Sequence, residues 1–284
     1  ATQWALDVGL RKVRGDDVAE EHAKADELVL SKIRAGLGLD QIESVNVGAA
    51  PTPPEVIEFF HALGIPLAEL WGMSETAGYG TCNPPERIKI GTVGPPAPGA
   101  EIKLADDGEV LIRGPFIMTG YRNQPEKTRE AIDEDGWLHT GDIGEFDEDG
   151  YLTLVDRKKE LIISAGGKNM SPANIEAKLK ASSPVIGQAI AIGDGRPYNV
   201  ALVTLDPDVA PTYEQQHGRD AMLAELERGI EAANEQLARV EQVKKYKLLD
   251  EDWQPGGDEL TPTMKLKRKP IHEKYASEIE ELYG

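Results

Sequence analysis

Between Leu138 and Pro172, LHTGDIGEFDEDGYLTLVDRKKELIISAGGKNMSP gathers several groups able to act on a sugar or a phosphate. Asp142, in Thr140-Gly141-Asp142, reads as an acid inside a tight turn. Its two coplanar oxygens can accept hydrogen bonds from vicinal hydroxyls. Arg157, within Asp156-Arg157-Lys158-Lys159-Glu160, can brace a sugar or a phosphate. Gly166-Gly167, followed by Lys168, lets backbone approach a ligand closely. Together they suggest a nucleotide site beside a movable joint.

Three further segments carry usable chemistry. In Trp71-Gly72-Met73-Ser74-Glu75-Thr76, Trp71 offers a flat face for a base, and Ser74 and Thr76 offer hydroxyls to a phosphate. Glu75 offers a hard oxygen to Mg²⁺, which takes one or two carboxylates and fills its octahedron with phosphate and water. A helix cap centred on Ser74 would use the same residues. Gly48-Ala49-Ala50-Pro51 is a small-residue loop that could admit a purine or simply turn a strand into a helix. Lys265, in Thr261-Pro262-Thr263-Met264-Lys265, stands in a proline-stiffened loop from which a cation can meet developing phosphate charge. Two residues invite less. Cys82 has no nearby His or basic helix end to lower its pKa, and His139 reads as structural.

The elements that must position these groups change in texture along the chain. Residues 16–35 are helical in composition, 44–48 read as a strand, Pro53-Pro54 open a helix that Gly64 closes, and 67–71 read as a second strand. That alternation predicts a parallel α/β sheet with ligand loops at strand ends. Residues 101–104, 109–113 and 151–155 read as strands joined by Asp-Asp-Gly and Glu-Asp-Gly turns, a small β-barrel or meander. Beyond Asp156 a compact α+β unit follows: strands at 162–163, 185–192, 200–205 and 243–249, and helices after Ser171, over 217–240 and over 270–282. Gly193-Asp194-Gly195 reads as a hairpin turn.

A net charge of −19 argues against general nucleic-acid binding, which needs a basic face. Two basic islands interrupt the acidity, at Lys244, Lys245 and Lys247 and at Lys265, Lys267, Arg268 and Lys269. They are either solvated surface or a landing zone for a polyanionic small molecule. A single cysteine permits no internal disulfide and fits a reducing compartment. No apolar run approaches the ~20 residues of a membrane span, and the expected location is cytoplasmic.

WGMSETAG, GEVLIRGPFIMTGY, GWLHTGD, DRKKELIISAGGKNMSP and LTPTMKLKRK occur here in the order found in adenylate-forming acyl-CoA synthetases. The chain resembles their long-chain fatty-acid–CoA ligase branch. The resemblance implies activation of a long-chain fatty acid by ATP to acyl-AMP, with Mg²⁺, and thioester formation with coenzyme A. It implies that Gly48, Ala49, Ala50 and Pro51 border adenine, that Trp71 stacks on it with Gly72 beside it, and that Ser74 and Thr76 lie near the α-phosphate. Glu75 would hold the metal, Asp142 the ribose with help from Arg157, and Lys265 would serve adenylation. Gly166, Gly167 and Lys168 would face the pantetheine channel.

The implied domains are the distal part of an N-terminal AMP-binding domain over 1–155, a hinge at Asp156 and a mobile C-terminal domain over 157–284. Nothing between Ala1 and Val47 resembles the family's Ser/Thr/Gly-rich triphosphate loop. The resemblance therefore implies the C-terminal half of a longer synthetase, whose missing N-terminal part is a partner and whose membrane contact, if any, is peripheral. Two alternatives stand beside this: an acyl-AMP ligase that delivers to a carrier protein, and a non-catalytic nucleotide-binding fragment.

Overall fold

Helix α1 (Thr2–Val13) turns Ala5, Val8 and Gly9 inward, and α2 (Ala19–Ala25) passes through a π-turn at Asp26–Leu30 into α3 (Ser31–Gly36). The computed structural model describes residues 1–284, and the chain separates into two compact units, Ala1–Lys158 and Lys159–Gly284. Strand β1 (Val45–Val47) is followed by α4 (Pro54–Ala62) and β2 (Leu67–Trp71). Pro54 starts α4 where no backbone donor is needed, and Gly64, at φ 77°, ends the turn after it. Strands β1 and β2 are parallel, with Val47 opposite Glu69, and β3 (Thr81–Cys82) runs antiparallel to β2. α1 lies on α4 so closely that a Cβ at Gly9 would stand 2.3 Å from the Ala62 carbonyl oxygen.

The rest of the first unit is a meander in chain order: β4 (Glu101–Leu104), β5 (Glu109–Arg113), β6 (Leu138–Phe146) and β7 (Leu152–Arg157), with α5 (Pro125–Ala131) between β5 and β6. Val110, Ile112, Leu138 and Leu152 pack with Trp71 as its core. The tight turn expected at Thr140-Gly141-Asp142 is instead part of β6. Its pairing with β5 shifts between Leu111↔His139 and Glu109↔Ile143, so the segment bulges, with Gly141 at φ 72°. Asp156, expected as the joint, pairs with Ile143 inside β7, and the units divide two residues beyond it.

The second unit opens with a hairpin of β8 (Ile162–Ile163) and β9 (Asn169–Met170), then α6 (Pro172–Ser182), capped by Ser171 Oγ accepting from Asn174 N at 3.0 Å. Strands β10 (Ile186–Ile192) and β11 (Asn199–Leu205) are antiparallel. Helices α7 (Val209–His217) and α8 (Arg219–Gln236) lead to β12 (Val243–Leu248), which is parallel to β11. Gly218, at φ 87°, divides what the composition suggested as one helix from 217. The tail is α9 (Arg268–Lys274) and α10 (Ala276–Tyr283). Central β11 is buried on both faces, hence its unbroken apolar run. Ala201 and Val203 face α6 and α8, while Val200 and Leu202 face α9 and α10.

A half-buried ion pair, with its carboxylate buried, ties α9 to α6. Arg268 Nη1 and Nη2 donate to the two carboxylate oxygens of Glu176 at 2.6 and 2.9 Å, and Arg268 Nε donates to Glu160 at 3.1 Å. Glu176 also accepts from Ala191 N at 2.9 Å. Removing one partner of such a pair strands a buried charge. Arg268→Ala should cost about 3–5 kcal/mol in urea unfolding, and adding Glu176→Leu should recover part of that loss; a double variant no better than the single would contradict this.

Candidate nucleotide and adenylation site

In the first unit the small-residue loop and the Trp71 segment emerge together, at the C-terminal ends of parallel β1 and β2, where α/β sheets bind ligands. Gly48 packs beside Leu70; a Cβ there would lie 3.0 Å from the Leu70 carbonyl oxygen. Ala49 takes a left-handed conformation, φ 71°, and Thr52 N donates to Glu69 Oε1 at 3.2 Å, folding the loop back over β2. Burial raises the Glu69 carboxyl above its ordinary range, with the Thr52 N–H opposing. Ala50 and Pro51 are exposed.

After β2 the chain makes a short 3₁₀ turn, Ser74–Thr76. Gly72 is required beneath it, since a Cβ there would meet the Gly78 carbonyl oxygen at 2.2 Å. Thr76 is fully buried, and its hydroxyl accepts from Met73 N at 3.0 Å and donates to Met73 O at 3.1 Å. The expectation that Thr76 presents a hydroxyl to phosphate is therefore corrected: Thr76 closes the turn, and exposed Ser74 is the hydroxyl on offer. Glu75 is partly buried. Its Oε1 accepts from Tyr121 Oη at 2.7 Å, and its backbone oxygen accepts from Met118 N at 2.8 Å. The Glu75 carboxylate, with some burial, pushes the Tyr121 phenol above its ordinary range, so it stays a donor.

Asp142 is buried at the end of this wall. Trp71 Nε1 donates to its Oδ2 at 2.8 Å, Arg157 Nε pairs with its Oδ1 at 2.8 Å, and Arg157 is its neighbour across the sheet. The open stacking face expected at Trp71 is not presented, because only 7% of that residue is exposed. The bulge carrying Asp142 is held from beneath. Glu109 accepts from Gly141 N at 2.9 Å and from Lys158 Nζ at 3.1 Å, and Lys158 N donates to Gly141 O at 2.7 Å. Lys158 also pairs with Asp107 at 2.5 Å, and His139 Nδ1 lies 3.5 Å from Glu109. His139 thus belongs to the scaffold. Cys82 offers no reactive thiol, since burial pushes its pKa up.

The remaining candidates stand in the second unit. Gly166, Gly167 and Lys168 form the exposed tip between β8 and β9, with Gly167 at φ 76°, Gly167 N donating to Ser164 O and Lys168 N to Ser164 Oγ. Ile163 N donates to Asp194 Oδ1 and Ala165 N to Arg196 O, so the 193–196 turn braces that loop. Lys265 is exposed on a tight hairpin in which Leu260 faces Leu266, Thr261 N donates to Lys265 O at 2.8 Å, and Lys265 N donates to Thr261 Oγ1 at 3.0 Å. Met264 is left-handed there, φ 64°. Of the second basic island, Arg268 is committed to Glu176, and Lys267 Nζ donates to Gly257 O at 2.7 Å. Sequence reasoning missed Tyr121, Glu109 and Lys158; the Gly120-Tyr121 pair was visible in GEVLIRGPFIMTGY, but its tie to Glu75 crosses 46 residues.

Residues 12–122 match the AMP-binding enzyme family and residues 159–284 match the AMP-binding enzyme C-terminal domain. The chain belongs to that family. It is 50% identical over 302 residues to the Mycobacterium tuberculosis protein named fatty-acid–CoA ligase fadD11, covering 100% of this chain and 53% of that protein. It is 40% identical over 276 residues to long-chain-fatty-acid–CoA ligase FadD15 of Mycobacterium bovis, covering 93% and 46%. The chain thus spans about half the length of the curated relatives it matches. Among solved structures, the adenylation domain of a carboxylate reductase from Mycobacterium chelonae shares the fold, with TM-score 0.72, 21% identity, and 99% of this chain and 45% of that one covered. The ATP-bound RpMatB-BxBclM chimera B1 gives TM-score 0.61 at 28% identity over 82% and 46%.

The Glu109 carboxylate supplies a pH-dependent brace. Burial works to raise its pKa, but the Lys158 ammonium and the Gly141 N–H outweigh it, and the group lies below the ordinary glutamate range. A depressed folded pKa stabilises above the unfolded value and loses that contribution as pH falls through the folded one. The gap in urea stability between the unaltered chain and Glu109→Gln should therefore be widest near neutrality. It should narrow below about pH 4.3, the unperturbed glutamate value; a gap independent of pH would contradict it.

Proposed function

We propose that this chain carries the ribose-binding and lysine-bearing elements of a long-chain fatty-acid–CoA ligase. The observation that carries the reading is the Asp142–Arg157 pair across the bulge of β6, beside the Glu75 turn. In the first half-reaction a fatty carboxylate oxygen attacks the α-phosphorus of ATP and pyrophosphate leaves. In the second, the coenzyme A sulfur attacks the acyl carbon and AMP leaves. A carboxylate is already nucleophilic, so the first step needs charge neutralisation rather than a base.

Asp142, with Arg157, would accept hydrogen bonds from the ribose hydroxyls. Gly48, Ala49, Ala50 and Pro51 would border the purine, with Trp71 and Gly72 behind the sugar. Ser74 would lie near the α-phosphate, and Lys265 would meet the developing charge there. Gly166, Gly167 and Lys168 would line the pantetheine path once the chain turns near Asp156. Mg²⁺ would fit Glu75, a single carboxylate oriented by Tyr121, since that ion takes one or two carboxylates and completes its shell with phosphate and water. When bound, it would supply neutralisation of phosphate charge. The relatives' names support the fatty-acid substrate, and no helix is long and apolar enough to cross a membrane.

In the protein that carries this chain, Lys265→Ala should slow acyl-AMP formation by roughly a hundredfold or more while supplied acyl-AMP is still converted to acyl-CoA. Pyrophosphate release and thioester formation, measured separately, decide this. Equal loss of both half-reactions would remove Lys265 from the adenylation role, and loss of neither would sink the assignment.

A further inference from the structure

We propose that Lys274, on α9, is a positioning residue for the adenylation step: its ammonium clips the root of the hairpin that presents Lys265. The inference rests on the assignment of Lys265 to that step. At the root, Leu260 is fully buried and faces Leu266, and Lys267 N donates to Glu259 O at 2.7 Å. The second arm runs straight into α9 and is anchored by it. The first arm, 250–260, contains no helix or strand to hold it. Lys274 supplies that hold. Its Nζ donates to Glu259 Oε1 at 2.7 Å and to Glu251 Oε2 at 2.6 Å, one carboxylate near each end of the arm. Tyr275 Oη donates to Glu251 at 3.1 Å and accepts from Trp253 Nε1 at 3.1 Å, so the arm is laid along α9.

Burial decides which of the two contacts reaches the tip. The Glu251 side chain is 61% exposed, and an ion pair in water adds little to stability. The Glu259 side chain is 9% exposed, and its own backbone oxygen forms the first bonded rung of the hairpin. A buried carboxylate deprived of its cation is costly and turns to water. For Glu259 that motion shifts the rung from which Thr261 to Lys265 extend, and with it the lysine. A misplacement of about 1 Å can cost a hundredfold in rate. Arg268 acts differently, since it joins α9 to α6. The loop of Gly166, Gly167 and Lys168 belongs to the same unit as Lys265. A residue that merely stabilised that unit would therefore slow both half-reactions, whereas one that aims Lys265 slows the first alone.

The test uses the protein that carries this chain, with pyrophosphate release and conversion of supplied acyl-AMP to acyl-CoA measured separately. The variants are Lys274→Met, Lys274→Arg, Lys265→Ala and Lys274→Met combined with Lys265→Ala. Lys274→Met should lower kcat for acyl-AMP formation about tenfold to a hundredfold and change KM for ATP by no more than about twofold, as for a contact felt only in the transition state. Conversion of acyl-AMP should stay within about twofold, and Lys274→Arg should restore most of the lost rate. In the Lys265→Ala background the change should add nothing. Equal loss of both half-reactions, the same loss without Lys265, or no loss overturns the proposal. Adenylation that needs Lys265 but not Lys274 overturns this proposal alone, and adenylation that survives Lys265→Ala overturns the Lys265 assignment with it. Should Lys274→Met fail to fold, Glu259→Gln decides, because it weakens the same contact without stranding a buried charge. Adenylation should then fall about fivefold with thioester formation intact, and an unaltered adenylation rate overturns the proposal.

Discussion

One buried carboxylate, that of Glu109, is the constraint on which the first unit's chemistry depends. Burying a charge without partners is costly, and Glu109 meets that cost with the Gly141 N–H and the Lys158 ammonium. The first contact holds Gly141 in a left-handed conformation, which makes β6 bulge and turns Asp142 toward β2. The second anchors the last residue of the unit, because Lys158 is also held by Asp107 and by the Gly141 carbonyl. One side chain thus bears both on where Asp142 points and on how the last residue of the first unit is held.

Much of the fold was legible in the sequence, for reasons that differ by element. The parallel β1–α4–β2 unit announced itself through Pro54 at a helix start and Gly64 at its end. The two-faced burial of β11 showed as an unbroken apolar run. α1 is hidden because Gly9 is a poor helix former in its middle and no side chain caps it. Thr140-Gly141-Asp142 reads as a turn because Gly141 breaks the alternation, and only the neighbours β5 and β7 make it part of a strand. A bulge is a property of two strands, so one strand's residues do not reveal it.

The candidate site was legible as a list of residues rather than as an arrangement. Glu75, Ser74, Asp142, Arg157 and Lys265 stand out by motif, and the structure places the first four in one unit. The second neighbours of these groups were not legible. Trp71 and Asp142 are 71 residues apart and Glu109 and Lys158 are 49 apart, distances at which spacing carries no information. Burial then revised two roles: Thr76 is consumed by its own turn, and Trp71 contributes its polar tip. The basic island around Lys265 likewise divides into an exposed lysine and a half-buried arginine that serves the fold.

That arginine has a consequence for cooperativity. The second unit has two apolar layers on opposite faces of one thin sheet, α6 with α8 on one face and α9 with α10 on the other. Layers that share only a sheet can open separately as local unfolding units. Arg268 begins α9, and Glu176 belongs to α6, so their bidentate pair joins one layer to the other at the hairpin of Lys265. Fraying of the outer C-terminal layer must first strand a charge in the inner one. The hairpin that carries Lys265 is thereby tied to the inner layer although it stands at an exposed tip.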